Sequence, residues 1–148
     1  MKVKTLFMET TKIEPEQTAA QIRNILGKYG AGAVMTEYDK GEVIALTFKV
    51  KLGDKDLPFR LPCRWQAINN ILLLRRKRLR NTGEITHQAK RIAWRQILRW
   101  VEAQMALVET DMVKIQEVFM PYIQMTISGQ TLYEKLEKKG LTMLEDKR

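Results

Sequence analysis

Hydrophobic positions change their period along the chain and divide it into a mixed first part and a helical second part. At the start, Val3, Thr5 and Phe7 alternate with Lys4, Leu6 and Met8, which predicts an opening strand over Lys2–Met8. Ala19, Ile22, Leu26 and Tyr29 then recur at helical spacing. Pro15 suits the first position of that helix, Glu14 and Glu16 suit the positive end of its dipole, and Gly30 stands where a left-handed cap would end it. After Gly30 the period falls to two. Residues 31–38 and 42–50 read as a half-buried antiparallel hairpin turned at Asp39, Lys40 and Gly41, with Ile44, Leu46, Phe48 and Val50 on its apolar face. Gly53 and Asp54 turn the chain again into a third strand over 57–61, and Pro58 marks it as a sheet edge.

From Pro62 onward the helical period returns. Trp65, Ile68, Leu72 and Leu79 line a helix over about 64–80, and Asn81, Thr82 and Gly83 read as its break. Thr86 is placed to cap a long helix over 87–108, followed by helical segments over 112–123 and 130–139. The fold class is therefore α+β: a small antiparallel sheet of about four strands packed with an N-terminal helix, then a helical C-terminal half. One domain over 1–148 is the expectation. The alternative is a division into a sheet-containing part over 1–62 and a helical part over 63–140, with 141–148 as a frayed tail.

Charge changes this picture most. The chain has 26 basic and 17 acidic side chains, a formal net of +9, and residues 75–99 hold nine Lys or Arg against the single acid Glu84. Arg75, Arg76, Lys77, Arg78 and Arg80 point in nearly every direction around a helix end, which no buried face absorbs. Arg91, Arg95 and Arg99 follow at i+4 intervals opposite the apolar arc of Trp94, Leu98, Val101 and Met105. These eight cations are the candidate nucleic-acid-binding residues, because a dense like-charged surface seeks a polyanion and guanidinium groups grip phosphate in a bidentate way. A solvated helix end and polar face would carry the same charges. Trp65, Trp94 and Trp100 fit apolar helix faces, so core packing is their expected role; Trp94, at the arc's margin beside Arg91, is the best placed for base stacking. Residues 64–100 only loosely imitate a helix-turn-helix.

Little in the chain speaks for catalysis. The lone His87 starts a helix, and the lone Cys63, between Pro62 and Arg64, has no local base and no disulfide partner. Glu37, Asp39 and Glu42 cluster around the hairpin and would suit a divalent ion if the fold joined them. A restriction-type nuclease would want an acid where Thr47 precedes Phe48 and Lys49. No phosphate-binding glycine loop or dinucleotide fingerprint occurs, and no catalytic residue, metal site or cofactor is assigned. Neither a membrane-spanning run nor a secretory signal is recognised, so the expected location is cytoplasmic.

The run IRNILGKYGAGAVMTEYDKGEVIALTFKV, followed by LPFRLP, RIAWRQILRWVEAQMALVE and EVFMPYI, resembles small uncharacterised proteins of tailed phages and prophages. That resemblance implies a place among phage DNA-metabolism or host-takeover proteins, in the host cytoplasm, and carries no functional residues with it. The leading expectation is a non-enzymatic nucleic-acid-binding accessory protein, serving replication or recombination, with DNA or RNA as partner. Its first rival is a protein-interaction or oligomeric assembly module, with Met105, Met112, Phe119, Met120, Tyr122 and Met125 in an exposed seam and an acidic protein or a further copy as partner. The third reading is a metal-dependent nuclease.

Overall fold

Proline and acidic residues start the first element as the sequence predicts. In the computed structural model, which describes residues 5–75 and 81–140, α1 spans Pro15–Lys28, Pro15 occupies its first turn, and Gly30 leaves it at φ +112°. Three strands follow, β1 (Ala31–Asp39), β2 (Glu42–Leu52) and β3 (Lys55–Pro62), paired antiparallel in the order β1-β2-β3. Lys40 and Gly41, at φ +51° and +81°, form the first hairpin turn, whose handedness matches the twist of the strands it joins. The register of β1 on β2 slips twice, leaving Gly32 as an extra residue on β1 and Ile44 as one on β2. Past Ile44 the alternation changes phase, and Val43 joins the core face with Leu46, Phe48 and Val50.

Among the described residues, four helical elements follow: α2 (Trp65–Arg75), α3 (Thr82–Glu109), α4 (Ile115–Phe119) with the 3-10 turn Met120–Tyr122, and α5 (Leu132–Lys138). Two boundaries differ from expectation. The residues read as a break between helices, Thr82 and Gly83, are the first turn of α3, because the Asn81 side chain accepts the Glu84 N–H at 3.2 Å and caps it there. The hydroxyl of Thr86 instead donates to Asn69 of α2 at 3.3 Å. The segment read as a helix over 112–123 is shortened because Asp111 turns the chain out of α3 at φ +60°, and Ile123 leaves the 3-10 turn to bridge β3.

The sheet has three strands among the described residues rather than about four. Of the expected opening strand, Lys2–Lys4 lie outside the described residues, and Thr5–Met8 are not strand. Their backbone is used otherwise: Gln96 donates to the Phe7 carbonyl at 2.8 Å, and Gln88 donates to those of Glu9 and Thr11 at 2.9 and 2.8 Å, which lays the segment along α3. The β3 edge is meanwhile covered by the C-terminal part, where the Gln124 N–H donates to the Pro58 carbonyl at 2.9 Å and Ile123 pairs with Phe59.

One hydrophobic cluster joins both sides of position 62. Ala19, Ile22 and Leu26 of α1, Leu46, Phe48 and Phe59 of the sheet, and Trp94, Leu98, Val101 and Met105 of α3 meet in it, with Phe119 driven into the centre. Phe119 lies edge-on to Phe48 at 5.2 Å and to Trp100 at 5.3 Å, while Phe48 stacks on Phe59 at 5.3 Å. On the opposite sheet face, Arg60 donates to Glu37 through Nε and Nη2 at 2.9 and 3.1 Å, and the loop at Gly129 lies against it. A Cβ on Gly129 would stand 2.9 Å from Arg60 Nε, and its φ of +99° also favours glycine. Because Phe119 is fully buried and anchors the C-terminal part to the sheet, Phe119→Ala is expected to cost roughly 3–5 kcal/mol of stability, read from the midpoint of urea unfolding.

Candidate nucleic-acid interface

α2 and α3 pack against each other, and of the candidate cations the structure places Arg75 on α2 and Arg91, Arg95 and Arg99 on α3. Leu72 packs on Ile85, Ala89 and Ile92 in a second small core, partly covered by Leu6, Trp65, Ile68 and Leu73. Residues 76–80 connect the two helices. Arg76, Lys77, Arg78 and Arg80 therefore lie outside the described residues, and of the first basic group the structure places Arg75 alone, at the end of α2, where it is ion-paired with Glu9.

The second group is not the free ridge that the helical spacing suggests. Arg91 donates from Nε and Nη2 to Oε1 of Glu14 at 3.0 and 2.6 Å, and from Nη1 to Gln88 at 3.0 Å. Arg95 is 5% exposed and donates from Nη1 to Gln21 of α1 at 2.6 Å, leaving its buried Nε without a partner. Burial draws its pKa below the ordinary arginine value, with the neighbouring Arg99 acting in the same direction. Arg99 is exposed but spans one turn to Glu102 at 2.7 Å. Lys90, not among the candidates, bridges Glu42 and the Trp65 ring, its Nζ 4.7 Å from the ring centroid. The physical reason is α1: it docks against the side of α3 that carries Arg91 and Arg95, so that side is an interface between helices.

Trp94 is 1% exposed and fully inside the core, which removes it as a stacking platform; Trp65 and Trp100 are partly buried against the same core. His87 meets Glu14 at 2.7 Å across α1 and α3, a contact that no local pattern announces because 73 positions separate the two residues. Glu14 thus receives both Arg91 and His87. The Arg91 hydrogen bond outweighs the opposing effect of burial and, with His87, holds the Glu14 carboxyl below the usual glutamate range. Glu14, Glu42 and Gln21 are acceptors for the basic helix that the sequence pattern does not announce, and their only signal is a position on or beside faces that tertiary packing brings onto α3.

Catalytic candidates fare differently from one another. Cys63 is buried and its thiol is pushed up to about 12 by desolvation, a state opposite to that of an activated nucleophile. Glu37 is occupied by Arg60 and by the Thr47 hydroxyl at 3.1 Å, and among the described residues no three His, Cys, Asp or Glu side chains converge on a metal position. No helix among the described residues is long and apolar enough to cross a membrane. No family model, curated protein or solved structure matches the chain, and a phage origin gains no support from them.

Because the folded-state pKa of Glu14 is depressed, its contribution to stability is present above the unfolded carboxylate range and is lost as pH falls through the lower folded value. The difference in thermal midpoint between the native chain and Glu14→Gln should therefore shrink as pH drops below about 4, and also in high salt because the pair is half-exposed. A difference independent of pH would exclude this pairing as its source. Native Cys63 should also resist a thiol reagent that modifies it rapidly once the chain is unfolded in urea.

Proposed function

We propose that the protein is a non-enzymatic nucleic-acid-binding accessory protein whose phosphate contacts centre on Arg76, Lys77, Arg78 and Arg80, between α2 and α3, rather than along α3. The charge balance carries this reading. Segments 1–4, 76–80 and 141–148 hold eight basic and two acidic side chains, which leaves 18 basic and 15 acidic among the described residues, a net of +3. The cations of α3 are spent on acceptors within the fold, whereas residues 76–80 add four positive charges and no acid. A charge density of that kind between two helices favours binding that depends steeply on salt and weakly on sequence.

The test is fluorescence anisotropy with labelled single- and double-stranded DNA and RNA at low salt and at about 150 mM salt. Binding is expected to survive the higher salt, to weaken by at least about tenfold in Arg76→Glu/Arg78→Glu/Arg80→Glu, and to change little in Arg99→Glu, whose side chain is satisfied by Glu102. Binding confined to low salt would be the general stickiness of a basic chain and would remove this function.

One observation favours the interaction or assembly reading as a second. Met105 and Phe119 of the expected methionine-rich seam are buried, but Met112 and Met120 are 70% and 48% exposed and flank an open cleft of about 470 Å³. A stable oligomer without affinity for any nucleic acid would favour that reading over the first.

A further inference from the structure

A cleft of about 430 Å³ opens between the end of β3, the first turn of α2 and one side of α3. Leu61, Ile68, Ile97 and the rings of Trp100 and Tyr122 wall it, all of them buried or half-buried. None of the large apolar side chains that the fold exposes, from Phe7 to Tyr133, lines it. A recessed apolar wall of this size, within the roughly 300–1,000 Å³ of small-molecule sites, admits a small ligand, whereas a protein partner spreads over a broad, protruding patch. Two polar side chains stand at the cleft. Gln96 is engaged through Nε2, which donates to the Phe7 carbonyl at 2.8 Å. Arg64 is exposed, and its ion pair with Glu134 spans 3.8 Å, too long for a hydrogen bond. Among the described residues it is the one charged group lining the cleft. It immediately precedes α2, whose first turn contains no acid to offset the positive end of the helix.

We propose that this cleft binds a small aromatic monocarboxylate, its ring against Trp100 and Tyr122 and its carboxylate on the Arg64 guanidinium. The site goes beyond the nucleic-acid reading and uses none of its residues. Charge selects the head of the ligand. Arg60 and Arg91 each grip a glutamate through Nε and Nη2 at 3.1 Å or less, and Arg64 offers the same donors with its only paired carboxylate out of hydrogen-bond reach. A second negative charge on the ligand would face the Glu134 carboxylate across Arg64, which favours a monoanion over a phosphate-like dianion. The walls select its body. The Trp100 and Tyr122 rings, with centroids 5.6 Å apart and planes inclined at 57°, offer a ligand ring both faces and edges to pack on, and Leu61, Ile68 and Ile97 exclude further polar groups.

The test is a nuclear magnetic resonance titration of the isotope-labelled native chain, read at the tryptophan indole N–H signals. 2-Naphthoate should shift the Trp100 signal with a Kd of about 1 mM or tighter. 2-Naphthamide, the same body without the charge, should bind at least about tenfold more weakly. Arg64→Gln should erase that preference and leave the two ligands equal. Ala67→Trp, at an exposed position lining the cleft, should abolish the shift for both while the rest of the spectrum keeps the native fold. A Trp100 signal unmoved by 2-naphthoate at about 10 mM would overturn the site. Equal binding of the amide, or a preference that survives Arg64→Gln, would overturn the anionic ligand. A shift that persists in Ala67→Trp would assign the binding to the basic surface at large and overturn the cleft.

Discussion

Burial of α3 on two sides is the constraint on which the rest of the structure depends. One side presents Trp94, Leu98, Val101 and Met105 to the sheet, which any amphipathic helix of this length would do. The other side carries Arg91 and Arg95, and it is covered as well, by α1. Covering a cationic face is affordable only if acceptors come with the cover, since an unpaired buried charge costs several kcal/mol by order of magnitude. Glu14 and Gln21, one at the N-terminal boundary of α1 and one within it, supply them. The N-terminal segment, through Gln88 and Gln96, is then laid along α3 and kept out of the sheet.

This arrangement redistributes the charge that gives the chain its character. A helical projection counts every arginine on a polar face as available to a partner, but a side chain answered by a carboxylate contributes far less to the distant field that draws a polyanion in. Lys90, Arg91 and Arg99 are answered by Glu42, Glu14 and Glu102, and the described residues together carry a net of +3. Four of the nine net positive charges belong to residues 76–80, between α2 and α3, which is where the proposed nucleic-acid reading centres.

The C-terminal part plays a second organising role. Phe119 enters the aromatic group of Phe48, Phe59 and Trp100, and that anchoring delivers Ile123 and Gln124 to the outer side of β3. Arg60, gripped by Glu37 and packed on Gly129, locks the same region to the opposite face of the sheet. The protein thereby closes the β3 edge with its own chain, whereas among the described residues no backbone group bridges the outer side of β1. That asymmetry is a property of the topology and not of any single strand sequence.

Local chemistry determined much of this protein by itself. Pro15 and Gly30 mark both ends of α1, the positive-φ turn at Lys40 and Gly41 sets the first hairpin, and the apolar period predicts the core positions of α1, β2 and α3. Those signals are legible because a cap, a turn or an amphipathic period is satisfied within a few residues of the chain. The start of α3 is not legible locally because Asn81 and Gly83 serve equally in a turn and in a first helical turn, and alternation over Thr5–Met8 says nothing of which backbone will pair with it. Only the tertiary structure decided the acceptors of Arg91, Arg95 and His87 on and beside α1, which lie more than 70 positions away, and that the C-terminal part bridges the β3 edge. Both depend on surfaces meeting across the fold, where the energy belongs to the pair and neither sequence segment carries it alone.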